Sequence, residues 1–173
     1  MKRQILLVDG YNMIGAWPEL VMLKNQEKLE DARDALLFKL SNYAKYEDIE
    51  VICVFDAQFV PGIQKEYQKY QVTVVFTKTD ETADSYIERR AGELVSRITQ
   101  VTVATSDLAE QWLIFSKGAL RKSANELFRD IEQTKVKIEQ ETLEYRYANY
   151  RRNSPFDGKQ LKELDKLLHD LSK

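Results

Sequence analysis

Only one cysteine, Cys53, occurs among the 173 residues, so no internal disulfide can form and no cysteine-built zinc site exists. Flanked by Ile52 and Val54 in an apolar run, Cys53 reads as a packing residue rather than a nucleophile. Histidine is as scarce. His169 alone cannot supply a two-histidine acid–base pair, and its place in a C-terminal amphipathic segment marks it as a surface residue. Long apolar runs are missing too. The first, Ile5–Val8, has four residues, whereas a signal peptide needs ~7–15 and a membrane span ~20. The expectation is a cytoplasmic protein with no membrane partner. Neither sign of charge dominates: 26 Lys and Arg face 28 Asp and Glu, a net charge of -2. No general basic excess announces nucleic acid, although a cluster of metal-binding acids can mask a basic surface elsewhere. Repeats and low-complexity segments are absent.

What is present suffices for one folded core. Hydrophobic residues make up 43% of the chain, and its length is that of a single domain, typically ~100–150 residues. Four β-rich runs stand out: Gln4–Val8, Glu50–Phe55, Val72–Thr77 and Val101–Thr105. Most are nearly continuous Ile, Leu, Val and Phe, the pattern of strands buried on both faces of a parallel sheet. Helical periodicity lies between them. Glu27–Tyr46 places Leu29, Ala32, Leu36, Leu37, Leu40 and Tyr43 on one face, and Ala83–Ile98 does the same with Ile87, Ala91, Leu94, Val95 and Ile98. Leu108–Phe115 is a shorter candidate, and Ala57–Gln71, with Pro61 and Gly62, reads as a loop with at most a short helix. Strands alternating with helices imply right-handed βαβ units and a doubly wound α/β fold.

Ser123-Ala124-Asn125-Glu126 has the spacing of a capping box and opens a helix running to about Tyr150. Its second half is mostly charged and aromatic and is expected to leave the core. Asn153, Pro155 and Gly158 end it, and Leu161, Leu164, Leu167, Leu168 and Leu171 describe one more amphipathic helix.

Ligands of open parallel sheets bind beyond the carboxyl ends of the strands, and every predicted strand delivers an acid there. Asp9 follows the first and Asp56 the second. Asp84 lies just after the third, at the start of the next helix, and Asp107 closes Thr105-Ser106-Asp107 after the fourth. Each alone can be a helix cap or turn residue, Asp107 above all, since Asp107 and Glu110 have capping spacing. Four converging on one edge would repel one another unless a cation sat among them. Hard oxygen ligands favour magnesium or manganese, ions that activate water and clamp a phosphodiester for in-line attack. In Asp9-Gly10-Tyr11-Asn12, Gly10 permits a sharp turn. Asn12 either holds Asp9, contacts a phosphate or stabilises the turn.

Leu6-Leu7-Val8-Asp9-Gly10-Tyr11-Asn12, Val54-Phe55-Asp56-Ala57, Glu81-Thr82-Ala83-Asp84 and Ala104-Thr105-Ser106-Asp107 resemble, in order, the NYN-domain family of the PIN-like nuclease superfamily. With Gly118-Ala119-Leu120-Arg121-Lys122-Ser123-Ala124-Asn125-Glu126-Leu127 added, the likeness narrows to the YacP-like branch. It runs from about Ile5 to Leu127, with the tail beyond Glu139 outside the matching motifs. The resemblance implies a PIN-like α/β/α sandwich with a central parallel sheet of about four strands. Residues 1–127 would form the nuclease core, and residues 128–173 a C-terminal helical extension continuous with it. It also implies a divalent-metal endoribonuclease using Mg2+ or Mn2+ and no small-molecule cofactor. Asp9, Asp84 and Asp107 would carry the metal, Asn12 would assist, and Asp56 also matches. The branch resembles bacterial enzymes that associate with the ribosome and cut messenger RNA during translation, so RNA and the ribosome are the implied partners.

Substrate grip is expected from Lys117, Arg121 and Lys122, near the start of the capped helix, with Arg121 favoured because it matches the family segment. Lys65 and Lys69, interleaved with Tyr67 and Tyr70, are a further candidate edge. The window Tyr145–Arg152 mixes cations with rings as RNA-binding surfaces do, and also as helix C-termini do. Trp17 and Trp112 read as packing. The alternative within the same fold is a non-catalytic module that binds RNA or ribosomes. A phosphoacceptor receiver would want an acidic pair after the first strand, and a haloacid-dehalogenase-type phosphatase an Asp where Tyr11 stands; both are disfavoured.

Overall fold

The computed structural model describes residues 1–57, 65–107, 115–153 and 156–172. Along the chain these form β1 (Arg3–Asp9), α1 (Gly10–Ile14), α2 (Pro18–Asn25), α3 (Leu29–Glu47), β2 (Glu50–Phe55), β3 (Lys65–Lys69) and β4 (Val72–Phe76). There follow α4 (Ala83–Leu94), β5 (Thr99–Ala104), β6 (Leu120–Lys122), α5 (Ala124–Asn153) and α6 (Gly158–Leu171). The chain resolves into two compact units, Met1–Glu132 and Gln133–Lys173, with α5 running from the first into the second.

The first unit is built on a six-stranded sheet in the order β3-β4-β2-β1-β5-β6. β4, β2, β1, β5 and β6 are parallel, and β3 pairs antiparallel with β4. The continuous apolar runs are explained by burial on both faces. Leu6, Val8, Val51, Cys53, Phe55, Val72 and Val74 face one layer with Leu20 of α2, Leu36 and Leu40 of α3 and Leu127 of α5. The alternate residues Ile5, Leu7, Ile52, Val54, Val75, Val101 and Val103 face the other, with Tyr86, Ile87 and Ala91 of α4. This is the α/β/α sandwich, with more strands than the four the apolar runs predict.

Both additional strands lie at sheet edges. β3 falls in the segment read as a loop; its Lys65-Glu66-Tyr67-Gln68-Lys69 sequence has no apolar run because an edge strand pairs on one side only and resists further pairing with charge. β6 is three residues long and pairs with Thr102–Ala104. α4 stops at Leu94, short of the predicted Ile98, because Val95 turns extended and Ser96 and Thr99 exchange backbone bonds that lead into β5. Ile98 is 75% exposed, so its helical spacing was accidental. Trp17 is 1% exposed and its Nε1 donates to the Ala124 carbonyl oxygen at 2.9 Å, tying α2 to the start of α5. Cys53 is free and buried, and burial holds its thiol well above the usual range. The helix candidate Leu108–Phe115 falls outside the described residues except for Phe115, and Glu110 and Trp112 fall outside them with it.

In the second unit α6 opens with a complete capping box: Gln160 N donates to Asp157 Oδ1 at 2.8 Å, and Asp157 N to Gln160 Oε1 at 3.1 Å. Leu161 is buried, while Leu164, Leu167, Leu168 and Leu171 remain exposed, as does His169. Tyr147 donates to Asp165 at 3.1 Å beside a 590 Å³ groove that includes Leu143, Tyr150, Leu164 and Leu168. No helix among the described residues is long and apolar enough to cross a membrane.

Candidate active site

The parallel registers bring the carboxyl ends of β1, β2, β4 and β5 to one edge: Asp9 lies opposite Val54, Phe55 opposite Phe76, and Val8 opposite Ala104. Asp9 is the last residue of β1 and the cap of α1, its Oδ1 accepting from Asn12 N at 3.3 Å. The turn is as sharp as Gly10 suggests. A Cβ on Gly10 would lie 2.3 Å from the Phe55 ring, so only glycine fits beneath it. That ring stacks on Phe76 and takes the edge of Tyr11, forming an aromatic floor just inside the acidic edge.

Asp9 is 8% exposed, and its pKa is raised to about 7. Loss of hydration is the main cause. The Asn12 amide opposes it, while the Asp84 carboxyl, within hydrogen-bonding reach, and the charge of Asp56 push the same way as burial. Asp84 itself is exposed in the first turn of α4. That helix start is positioned twice: Thr82 Oγ1 accepts from Ser85 N at 3.2 Å, and Asp56 Oδ2 accepts from Ala83 N at 3.3 Å. Asp56 thus braces the turn that carries Asp84 towards Asp9.

Asn12 works across the edge. Its Oδ1 accepts from Ser106 N at 2.9 Å, and Ser106 Oγ accepts from Ala124 N at 3.3 Å, linking the β1 loop to the β5 loop and the start of α5. Asp107 stands three residues beyond β5, exposed, its amide donating to Thr105 Oγ1 at 3.2 Å. Asp9 and Asp84 therefore meet, with Asp56 beside them. Asp107 shares their strand-end edge, but among the described residues no three His, Cys, Asp or Glu side chains are grouped so as to hold a metal ion. The donor chemistry still fits a hard divalent cation. A buried carboxyl touches a second and feels a third, and magnesium is commonly held by one or two protein carboxylates, water and phosphate supplying the rest.

The expected basic residues are differently placed. Lys117 pairs with Glu88 at 3.2 Å, and Lys122 pairs with Asp130 and lies beside Tyr43. Lys69 pairs with Asp34, and the side chains of Lys65 and Tyr67 lie outside the described residues. Arg121 is exposed on β6, in register with Val103. The cation that sequence reasoning passes over is Arg33 of α3. Its Nη1 donates to Tyr11 Oη at 3.2 Å, and its guanidinium lies 5.9 Å from the Phe76 ring centre. On an amphipathic helix an arginine reads as a solvated residue; only its distance from Asp9 along the chain hides it.

A doubly covered, mostly parallel sheet whose strand ends bring a buried Asp9 carboxyl against the exposed Asp84, at the edge where such sheets bind ligands, defines a PIN-like fold of the nuclease type. Residues 6–169 match the family model described as the YacP-like NYN domain, and the chain belongs to that family. The match includes the C-terminal helices, well past the Leu127 where recognisable motifs end. The chain is 53% identical to the protein YacP of Bacillus subtilis (strain 168) over 135 residues, covering 78% of this chain and 79% of that one. Among solved structures it is similar to Rae1 (YacP) from Bacillus subtilis, at 45% identity and a TM-score of 0.70, covering 98% of this chain and 92% of that one. The W164L mutant of that protein matches at 50% identity and a TM-score of 0.71, covering 81% and 80%. Family and fold together give the protein a nuclease-type, RNA-related role.

Proposed function

We propose that the protein is a divalent-metal-dependent endoribonuclease that cuts RNA phosphodiester bonds, messenger RNA at the ribosome in particular, in the cytoplasm. The observation that carries this reading is the buried Asp9 carboxyl meeting Asp84 at the strand-end edge, with Asp56 adding repulsion. Mg2+ or Mn2+ is the group such oxygens suit, and when bound it would supply charge neutralisation and polarisation of water and phosphate. Asp9 and Asp84 are the residues we assign to hold it, with Asp107 completing the acidic edge. Asn12 keeps the β1 and β5 loops together so that these acids stay in place, and Asp56 orients the start of α4. Arg121 is the favoured substrate contact of the β6 segment because it matches the family segment; Lys117 pairs with Glu88 and Lys122 with Asp130. The ribosomal context rests on the likeness to the YacP-like branch.

A second reading, a binding module that does not cut, is favoured by the lack of a preformed three-carboxylate group among the described residues. One experiment separates the two. Naked RNA and the same RNA under translation are incubated with wild type and Asp84→Asn, with Mg2+ or Mn2+ and with excess chelator. Cleavage by wild type alone, lost in chelator, is the expected result. Equal cleavage by both proteins, or cleavage that survives chelator, refutes the metal nuclease; ribosome or RNA binding with no turnover in any metal leaves the binding module.

A further inference from the structure

Arg33 combines two properties that rarely coincide. It is half-buried, yet among the described residues it makes no ion pair: its contacts are the Tyr11 hydroxyl and the Phe76 ring. Long cationic side chains withdrawn from water are normally matched by a carboxylate. Three half-buried or partly exposed lysines near the sheet obey that rule, Lys69 with Asp34, Lys117 with Glu88 and Lys122 with Asp130. Arg33 also sits beside carboxylates without collapsing onto them. Tyr11 is two residues from Asp9, and its ring leans on Phe55, the residue before Asp56. The charges of Arg33 and Asp56 both act on the Tyr11 hydroxyl. Phe76, under the guanidinium, is the last residue of β4. The cation therefore lies over the ends of β1, β2 and β4, on the edge that carries the acids, fixed in place by a phenol and a ring.

A guanidinium presents five N–H donors in a planar fork suited to two phosphate oxygens, and a single one is used on Tyr11. We infer that Arg33, anchored by Tyr11 and Phe76, is a phosphate-binding residue that positions single-stranded RNA along the acidic strand-end edge. This rests on the RNA reading of that edge, but not on catalysis. The phosphate held there supplies the negative charge the arginine lacks, and it keeps the polyanion in register beside carboxylates that would otherwise repel it. Tyr11 orients the fork and is a positioning residue.

The test is binding of a short fluorescein-labelled single-stranded RNA, followed by anisotropy in excess chelator so that cleavage cannot contribute. Wild type, Arg33→Gln and Arg33→Lys are compared across a salt series, with circular dichroism melts confirming that each is folded. Loss of one charged, forked contact should weaken binding about tenfold in Arg33→Gln. It should also reduce the slope of log affinity against log salt by about 0.7, the loss of one phosphate contact on a single strand. Arg33→Lys should keep the slope and recover part of the affinity, having the charge but not the fork. A purely structural arginine would instead lower the melting temperature and leave affinity and slope unchanged. Folded Arg33→Gln with wild-type affinity and slope, or a wild type that binds no RNA, overturns the inference. Wild-type binding without cleavage in any metal overturns the nuclease reading and leaves this one standing.

Discussion

Asp9→Asn removes one charge from the strand-end pair and keeps the side chain's size and its acceptor for the Asn12 amide. In the folded chain the Asp9 carboxyl titrates at about 7 in place of the usual 3.8. A raised pKa means that the folded state prefers the protonated form. The contribution is fully present below 3.8 and is lost as pH rises through about 7. At roughly 1.4 kcal/mol per pH unit, the interval corresponds to a ceiling on the order of 4 kcal/mol by pH 8, lowered where water screens the exposed Asp84 side. Wild type in chelator should therefore lose stability relative to Asp9→Asn across this interval, since titrating groups that do not interact with Asp9 cancel in the difference and what remains reports Asp9 together with the Asp84 and Asp56 carboxyls that feel its charge. Urea unfolding followed by circular dichroism between pH 4 and pH 8 reads the gap directly, given the pKa of about 7. Adding Mg2+ or Mn2+ at the alkaline end should restore wild type by about 3 kcal/mol at a hundredfold excess over Kd, and should leave Asp9→Asn nearly unchanged. Parallel pH curves for the two proteins would show that the Asp9 carboxyl is neither dehydrated nor crowded, and the assignment of a cation to that pair would go with it.

Gly10→Ala should be strongly destabilising, because its Cβ would meet a Phe55 ring fixed between Tyr11 and Phe76. Overpacking of about 3 kcal/mol is expected, a fall in Tm of roughly 6–12 °C by calorimetry; an unchanged Tm would mean the ring can move aside. Trp17→Phe keeps most of the buried ring volume and removes the bond to the Ala124 carbonyl, so a loss of about 1–2 kcal/mol in urea unfolding is expected. Asn12→Ala cuts the link to the Ser106 amide at an exposed position, where water can replace it, so stability should fall by less than about 1 kcal/mol. Cleavage of RNA by that variant should fall about 10- to 100-fold through misplacement of the strand-end loops, and retained cleavage with lost stability would reverse the roles assigned.

The strands of the sheet interior and the helices that cover them are legible because burial on both faces forces continuous apolar runs, and one-sided burial forces helical periodicity. β3 and β6 escape notice for the complementary reason. Lys65–Lys69 and Leu120–Lys122 pair at edges, need no second buried face, and so carry no pattern to read. Ile98 shows the opposite failure, an apolar residue at helical spacing that ends up in water because Ser96 and Thr99 had already turned the chain.

Asp9, Asp56, Asp84 and Asp107 stand out in the sequence alone because each follows an apolar run, and chain direction in a parallel sheet sends all such ends to one edge. Which acids touch is a different matter. Asp84 reaches Asp9 because Asp56 and Thr82 brace the first turn of α4, whereas Asp107 belongs to a loop held by Thr105. The engagement of Lys117 by Glu88, and the placement of Arg33 against Tyr11 and Phe76 over the β-strand ends, likewise depend on distances between residues separated along the chain. Sequence by itself determined the layers, the strand directions and the acidic edge, since these follow from local patterns of burial. Tertiary structure decided the carboxylate pair, the bracing and the place of Arg33 over the strand ends, because hydrogen bonds and charge interactions act across a few ångströms of space and take no account of separation along the chain.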